Sequence, residues 1–183
     1  MNTERFVRHL VKEQDEVWER YNRIIEQARS INTNRMLKEV ERMHQSRGSR
    51  RLMLKNHVTA DNLINVHLEE MSYRSSLVEL NVNASKLHRK LTIALDAASS
   101  HIAANYSSYL REAVGVKTKT DQTTFIEALL SDGWEYHARL DYVMDVCKQV
   151  IADIDQAAWG MKNLVELMRI VSARESVIKQ ANI

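Results

Sequence analysis

The side chains that could bind a metal ion are scattered along this chain of 183 residues. Glu41 and His44 have the Glu-x-x-His spacing with which helical bundles hold di-iron centres, but such a centre needs a second copy of the motif and none occurs. The seven histidines are dispersed, and the single cysteine, Cys147, has no companions at zinc-binding spacing. We therefore expect no metal and no cofactor.

Catalytic chemistry is equally hard to place. A nucleophile needs a base and an orienting group around it, and no stretch of the sequence supplies such a trio. The four glycines stand singly, whereas a phosphate-binding loop needs them clustered so that backbone N–H groups can reach the anion. His137 and Asp141 are one helical turn apart and could pair, although a packed or capping role is the stronger interpretation of His137. The sequence predicts a protein that is not an enzyme.

Basic residues form three clusters that are more informative. The clusters are Lys86, Arg89 and Lys90; Arg111, Lys117 and Lys119; and Arg47, Arg50 and Arg51. Such side chains bind phosphates, and the bases of a single strand stack on tyrosine rings such as those of Tyr106 and Tyr109. The alternative is that the charges are solvated and that both tyrosines belong to the core. The coincidence of three clusters favours single-stranded DNA as a partner.

The elements that must position these residues are helices. The chain has no proline and four glycines, and apolar residues recur at helical spacing almost throughout. The pattern predicts a first helix over 3–28, a break at 30–34 and a shorter helix up to a flexible basic connector at 46–51. Beyond it we expect a helix capped by Thr59 with a break or kink at 81–85, a helix over 86–115, a short helix capped by Asp121 and a final helix from Asp132.

The strongest pattern is an unbroken heptad stripe in the last quarter, from 140 to 178. Its seam consists of Leu140, Met144, Cys147, Ile151, Ile154, Ala158, Met161, Val165 and Met168. A stripe of this length predicts association with other helices, within or between chains, and we expect a homo-oligomer. Gly160 within it costs about 1 kcal/mol relative to alanine. Either a neighbouring backbone approaches closely there, or the glycine is a tolerated flaw.

The fold class follows as all-α, with a basic helical hairpin arm at 1–55 and a helical bundle at 56–183 that ends in a long coiled-coil-like oligomerisation helix. Residues 1–60 hold 13 Lys/Arg against 8 Asp/Glu, whereas residues 61–183 hold 13 against 16. An anionic partner should therefore meet the first third or a local patch. No apolar run approaches the length of a membrane span, and the lone cysteine fits a reducing compartment, so we expect a cytoplasmic protein without a membrane partner.

Three short strings add a resemblance. They are Ser-Lys-Leu-His-Arg-Lys-Leu-Thr-Ile at 85–93, Tyr-Ser-Ser-Tyr-Leu at 106–110, and Met-Lys-Asn-Leu-Val-Glu-Leu-Met-Arg at 161–169. With the order of elements, they make residues 60–175 similar to the UvsY family of phage recombination mediators. The resemblance implies a small helical ring-like oligomer that binds single-stranded DNA and helps a recombinase displace single-strand-binding protein. The location implied is the cytoplasm of the host cell.

The sequence also departs from that family. The family follows the Leu-x-Ile string with a basic helical stretch used for DNA, whereas residues 94–105 here contain neither lysine nor arginine. The resemblance therefore implies that the DNA-binding charge has moved, to Lys86, Arg89 and Lys90 or to the 47–51 connector. The expected function is that of an oligomeric accessory protein for recombination or replication. The alternative is a structural or adaptor protein, such as a phage virion or packaging component, that binds protein only.

Overall fold

The computed structural model describes residues 3–56 and 59–181, with side chains at 3–47 and 59–174. Within these ranges the chain is all-α, as predicted, and contains no strand. The helices are α1 (Thr3–Lys12), α2 (Glu16–Ser30), α3 (Thr33–Asn56), α4 (Ala60–Asn105), α5 (Ser107–Tyr109), α6 (Lys119–Leu129) and α7 (Ser131–Ala181), and Leu110–Val114 form a π-helical turn. No helix in the described ranges is both long and apolar enough to cross a membrane.

The helices form two compact units, each made from two stretches of chain. The first unit comprises Met1–Thr33 and Asn83–Met144, and the second comprises Asn34–Val82 and Asp145–Ile183. The long helices α4 and α7 contribute residues to both units. This division differs from the predicted one at residue 55, because compactness follows the packing of distant helices and not the order of residues along the chain.

The prediction of one helix over 3–28 is wrong, because the chain turns at Gln14, whose φ is 51°. Asp15 then caps α2, and its Oδ1 accepts a hydrogen bond from the Trp18 N–H at 2.9 Å. Its Oδ2 accepts hydrogen bonds from the Tyr106 hydroxyl and from His101 Nε2, both at 2.6 Å. Burial acts to raise the pKa of Asp15, and these hydrogen bonds outweigh it, so the pKa lies below its usual value. The Asp15 carboxylate therefore holds the turn at 13–15 against His101 of α4.

The first unit is packed around aromatic and branched side chains from five helices. The Phe6 ring lies edge-on to the rings of Tyr106 and Phe125, with centroids 5.5 Å apart in each pair. Gly133 lies against α2 and α4, and a Cβ there would be 2.7 Å from both the Leu95 side chain and the Tyr21 hydroxyl. The start of α7 therefore needs a residue without a side chain to approach its neighbours.

Two predicted breaks are absent from the structure. Helix α4 continues through 81–85, because Leu77, Ala84 and Leu87 keep a buried apolar face across that polar stretch. Helix α3 continues through the predicted connector to Asn56, and its buried face runs from Val40 through Met43 to Arg47. Burial of one helix face thus outweighs the weak helix propensity of asparagine, serine and glycine in these stretches.

The helix ends are mostly set by local chemistry. The Thr59 hydroxyl accepts a hydrogen bond from the Asn62 N–H at 3.2 Å, which confirms it as a cap of α4. Helix α6 is capped by Thr118, not by Asp121 as predicted. Asp121 is instead the reciprocal partner in a capping box, since its carboxylate accepts a hydrogen bond from the Thr118 N–H at 3.0 Å. Gly115, with φ of 81°, ends the π-helical turn close to the predicted helix end.

Candidate nucleic-acid interface

A shallow groove between α2 and α4 brings basic and apolar side chains together in the first unit. We call it the α2–α4 groove; Val17, Arg20, Tyr21, Ile24, Lys90 and Ile93 are among its lining residues. Its volume is about 100 Å³. None of the residues that line it is acidic among those the structure describes. The groove therefore combines an apolar floor with a cation from each wall.

The predicted cluster of Lys86, Arg89 and Lys90 lies on α4 at this groove. All three side chains are exposed, and Lys90 lines the groove itself. None of them forms an ion pair with a residue in the described part of the chain. Because their charges are uncompensated, the surface that they form attracts anions.

Arg20 and Arg23 of α2 extend the same basic surface, and the sequence analysis missed them. Both are exposed, and neither is in an ion pair within the residues that the structure describes. Their spacing of three residues places them on neighbouring positions of one helix face, beside Val17 and Ile24. This spacing could have identified the two arginines as neighbours on a helix. Only the packing of α2 against α4 shows that Arg20 and Lys90 line the same groove.

The second predicted cluster is exposed but does not line the groove. Arg111 belongs to the π-helical turn, Lys117 lies in the loop that follows, and Lys119 begins α6. The two nearby tyrosines, proposed as stacking platforms for bases, are occupied within the chain. Tyr109 stacks on His9 with ring centroids 3.9 Å apart, and the Tyr106 hydroxyl donates to Asp15. The cluster keeps its charge but has no free aromatic face from these two residues.

The third predicted cluster must be corrected at Arg47. Its side chain is buried, its Nε donates to both carboxylate oxygens of Glu70 at 2.9 and 2.8 Å, and its Nη1 donates to Asp153 at 2.8 Å. Burial acts to lower the pKa of Arg47, and the two carboxylates outweigh that effect and raise it. A guanidinium held in this way is not available to a phosphate. The side chains of Arg50 and Arg51 lie outside the described residues.

The heptad seam predicted for oligomerisation divides into two halves. In the first half, Leu140, Met144, Cys147 and Ile154 are buried within the chain itself, so they belong to its own core and cannot face a second copy. Ile151 is half-buried. Burial raises the pKa of the Cys147 thiol to about 11, which keeps the thiol protonated and unreactive.

The second half of the seam is only partly buried. Ala158, Met161 and Met168 are half-buried, and Val165 is exposed. Together with α4 this half forms a groove of about 490 Å³ in the second unit, which we call the distal groove; Leu63, Ile64, Leu68, Trp159 and Val165 are among its lining residues. Trp159 is 68% exposed, so a large apolar surface in this unit has no cover from the described chain.

A further apolar stripe runs along another face of the same part of α7. We call it the outer stripe; it consists of Ala157, Gly160, Leu164, Leu167 and Val171, spaced by three and four residues. At 100° per residue, Leu164 and Leu167 point more than about 90° away from Ala158 and Val165. A Cβ on Gly160 would meet nothing within 4 Å, so no packing among the described residues explains this glycine.

The described residues contain no cluster of metal-binding side chains beside these surfaces. Among the described residues, no three His, Cys, Asp or Glu side chains are placed to hold a metal ion. His137 is packed, as the sequence suggested: its Nε2 lies 3.0 Å from the Thr92 hydroxyl, and its ring lies on that of His88 with centroids 3.9 Å apart. Comparisons of this chain with protein-family models, curated proteins and solved structures gave no significant match.

Proposed function

We propose that this chain is a non-enzymatic, oligomeric accessory protein that binds single-stranded DNA in recombination or replication. The observation that supports it most is the pair of exposed cations that line the α2–α4 groove, Arg20 and Lys90, together with Arg23, Lys86 and Arg89, which are exposed on the same two helices. Neutralising phosphates with such side chains releases counterions and gives affinity without sequence preference. The resemblance to the UvsY family adds the expectation that the bound strand is passed to a recombinase in place of single-strand-binding protein.

One such cluster binds weakly, so the proposal needs several copies acting together. When copies are joined, later contacts with the same strand become intramolecular, and the overall affinity exceeds that of one site. The distal groove and the outer stripe offer a way to join them. Because they are different faces of one helix, the stripe of one copy can fill the groove of the next, which is a head-to-tail contact that closes into a ring or extends into a filament.

A salt-dependent titration with fluorescent oligo-dT tests the DNA half of the proposal. We expect binding at low salt and a steep loss of affinity as salt rises. Replacing Lys86, Arg89 and Lys90 together by alanine should lower the affinity at least about tenfold and reduce the slope of log affinity against log salt by about 2, since each lost phosphate contact on a single strand removes about 0.7.

The second basic cluster provides a matched control. Replacing Arg111, Lys117 and Lys119 by alanine removes the same charge but leaves the groove intact, so it should cost less affinity. Equal losses for the two triple variants would mean that binding follows net charge and not the groove. Absence of binding at low salt would refute the DNA half of the proposal.

The second candidate function is that of a structural or adaptor protein, for example a virion or packaging component. The exposed apolar surface of the distal groove and outer stripe favours assembly whether or not DNA is bound. In that case the basic residues face another protein. An oligomer of high mass without affinity for oligo-dT would favour this candidate over the first.

A further inference from the structure

Ile93 is exposed at the edge of the basic surface, since Lys86 and Lys90 precede it on α4 and the exposed Asp96 follows it by three residues. Its side chain is 53% exposed although it lies in the interior of the long helix α4. Lys86 and Lys90 precede it by seven and three residues, which places all three on one helix face. An apolar side chain next to unpaired cations suits a ligand that carries both negative charge and a flat apolar part.

The floor around Ile93 offers apolar contact and little else. Val17 and Ile24 of α2 are half-buried beside it, and the ring of Tyr21 closes the floor. The Tyr21 hydroxyl is turned inward against Gly133, and burial raises the pKa of Tyr21 to about 12. The tyrosine therefore presents its ring to the groove and offers no polar group to a ligand there.

The size of the groove limits what can enter it. About 100 Å³ admits a planar ring or a short side chain, whereas an α-helix is about 10 Å wide with its side chains. Arg20 and Lys90 on the two walls attract an anion. A nucleobase attached to a phosphate backbone meets both requirements. The bases of a duplex are stacked and paired, so only an unpaired strand can turn a base toward the floor.

We propose that the α2–α4 groove seats bases of single-stranded DNA against Ile93 while the surrounding cations hold the phosphates. This inference rests on the proposed function and adds to it that the bases, and not the charge alone, contribute to binding. Ile93 is then the residue that sets the preference for strands with bases, and Arg20 and Lys90 set the affinity for the backbone.

The test compares two fluorescent strands of equal length and charge, oligo-dT and an abasic oligomer, with the full chain. We expect oligo-dT to bind at least about fivefold more tightly, as stacking and apolar contact with bases would give. Ile93→Ser should abolish that difference and leave the affinity for the abasic strand and its salt slope unchanged. Ile93→Leu should keep the preference.

Val82→Ser provides the control, since Val82 is also an exposed apolar residue of α4 but does not line the groove. It should leave the preference for oligo-dT intact. Equal binding of both strands by the unaltered chain would refute the binding of bases at Ile93 and leave the proposed function standing. A preference that survives Ile93→Ser also overturns it. Failure of both strands to bind would refute the binding of bases at Ile93 together with the proposed function.

Discussion

The Arg47 guanidinium and the Glu70 carboxylate form a buried ion pair, with Nε 2.8 Å from one carboxylate oxygen and only 2% and 4% of the two side chains exposed. Asp153 completes the network from α7. Nη2 of Arg47 is buried and makes no hydrogen bond to any residue that the structure describes. A charge taken out of water in this way must keep its partners, so the pair commits three segments of the second unit to one arrangement.

Arg47→Ala should therefore destabilise the protein strongly. The variant leaves the Glu70 carboxylate buried without its partner, and the free energy of unfolding should fall by about 3 kcal/mol or more. Urea denaturation measures the loss, and Arg42→Ala, which removes an exposed arginine paired with Glu39, should change the stability by less than about 1 kcal/mol. Replacing Arg47 by Met and Glu70 by Leu together should recover most of the loss. Equal stabilities of the Arg47→Ala and Arg42→Ala variants would contradict the buried pair.

Gly133→Ala should also be destabilising. The added Cβ would approach the Leu95 side chain and the Tyr21 hydroxyl to 2.7 Å, so these groups must shift at a cost of about 1–2 kcal/mol. Gly160→Ala is the natural comparison, because nothing lies within 4 Å of the new Cβ and helix propensity should add up to about 1 kcal/mol to the stability of α7. If the two variants change the free energy of unfolding in the same direction, Gly133 is not closely packed.

The sequence predicted the helical class and the long closing helix well, because both depend on periodicity within one segment. The continuity of α3 and α4 could not be predicted in the same way. At 81–85 the polar residues suggest a break, and it is the burial of Ala84 and Leu87 against other helices that prevents one. Arginine is usually a surface residue, and the partners of Arg47, Glu70 and Asp153, are distant in sequence.

The candidate site was predicted only in part, for a similar reason. Lys86, Arg89 and Lys90 are adjacent in sequence and stood out as a cluster. Arg20 and Arg23 join them only because α2 packs against α4, which no local pattern contains. The heptad seam lies on a single helix, α7, but periodicity does not distinguish a partner helix in the same chain from one in another copy.

Arg20→Ala with Arg23→Ala should weaken binding to oligo-dT, although only their spacing of three residues marks them in the sequence. Two lost phosphate contacts should reduce the slope of log affinity against log salt by about 1.4. Arg8→Ala with Lys12→Ala removes the same charge from exposed positions of α1 and serves as the control. If the control pair weakens binding as much as the α2 pair, the basic surface is not centred on the α2–α4 groove.

Stability should fall as the solution is acidified from pH 7.5 to 5.5. Burial, followed by the nearby His88, lowers the pKa of His137 below its ordinary value of 6.5, while Asp141 and Asp96 oppose the shift. The unfolded chain therefore binds more protons than the folded one below about pH 6.5, so protonation favours unfolding. The lowered pKa of Asp15 acts only in a more acidic range, since its ordinary value is 3.8.

The measurement is the urea midpoint at both pH values. His137→Gln should reduce the difference between them, and His44→Gln, at an exposed position of α3, should leave it unchanged. A His137→Gln variant with the same pH dependence as the original chain would exclude His137 as the titrating group.

Substitutions on α7 should distinguish its core face from its assembly face. Leu164→Asp with Leu167→Asp places two charges on the outer stripe, where both residues are exposed, so the proposed oligomer should dissociate while each chain stays folded. Ile154→Asp places one charge in the chain's own core and should lower the helical signal and the unfolding midpoint instead. Light scattering and circular dichroism measure the two effects separately. Ser75→Asp with Ser76→Asp adds the same charge at exposed polar positions of α4 and should leave the mass unchanged. Retention of full mass by the Leu164 and Leu167 variant would show that copies do not meet through the outer stripe.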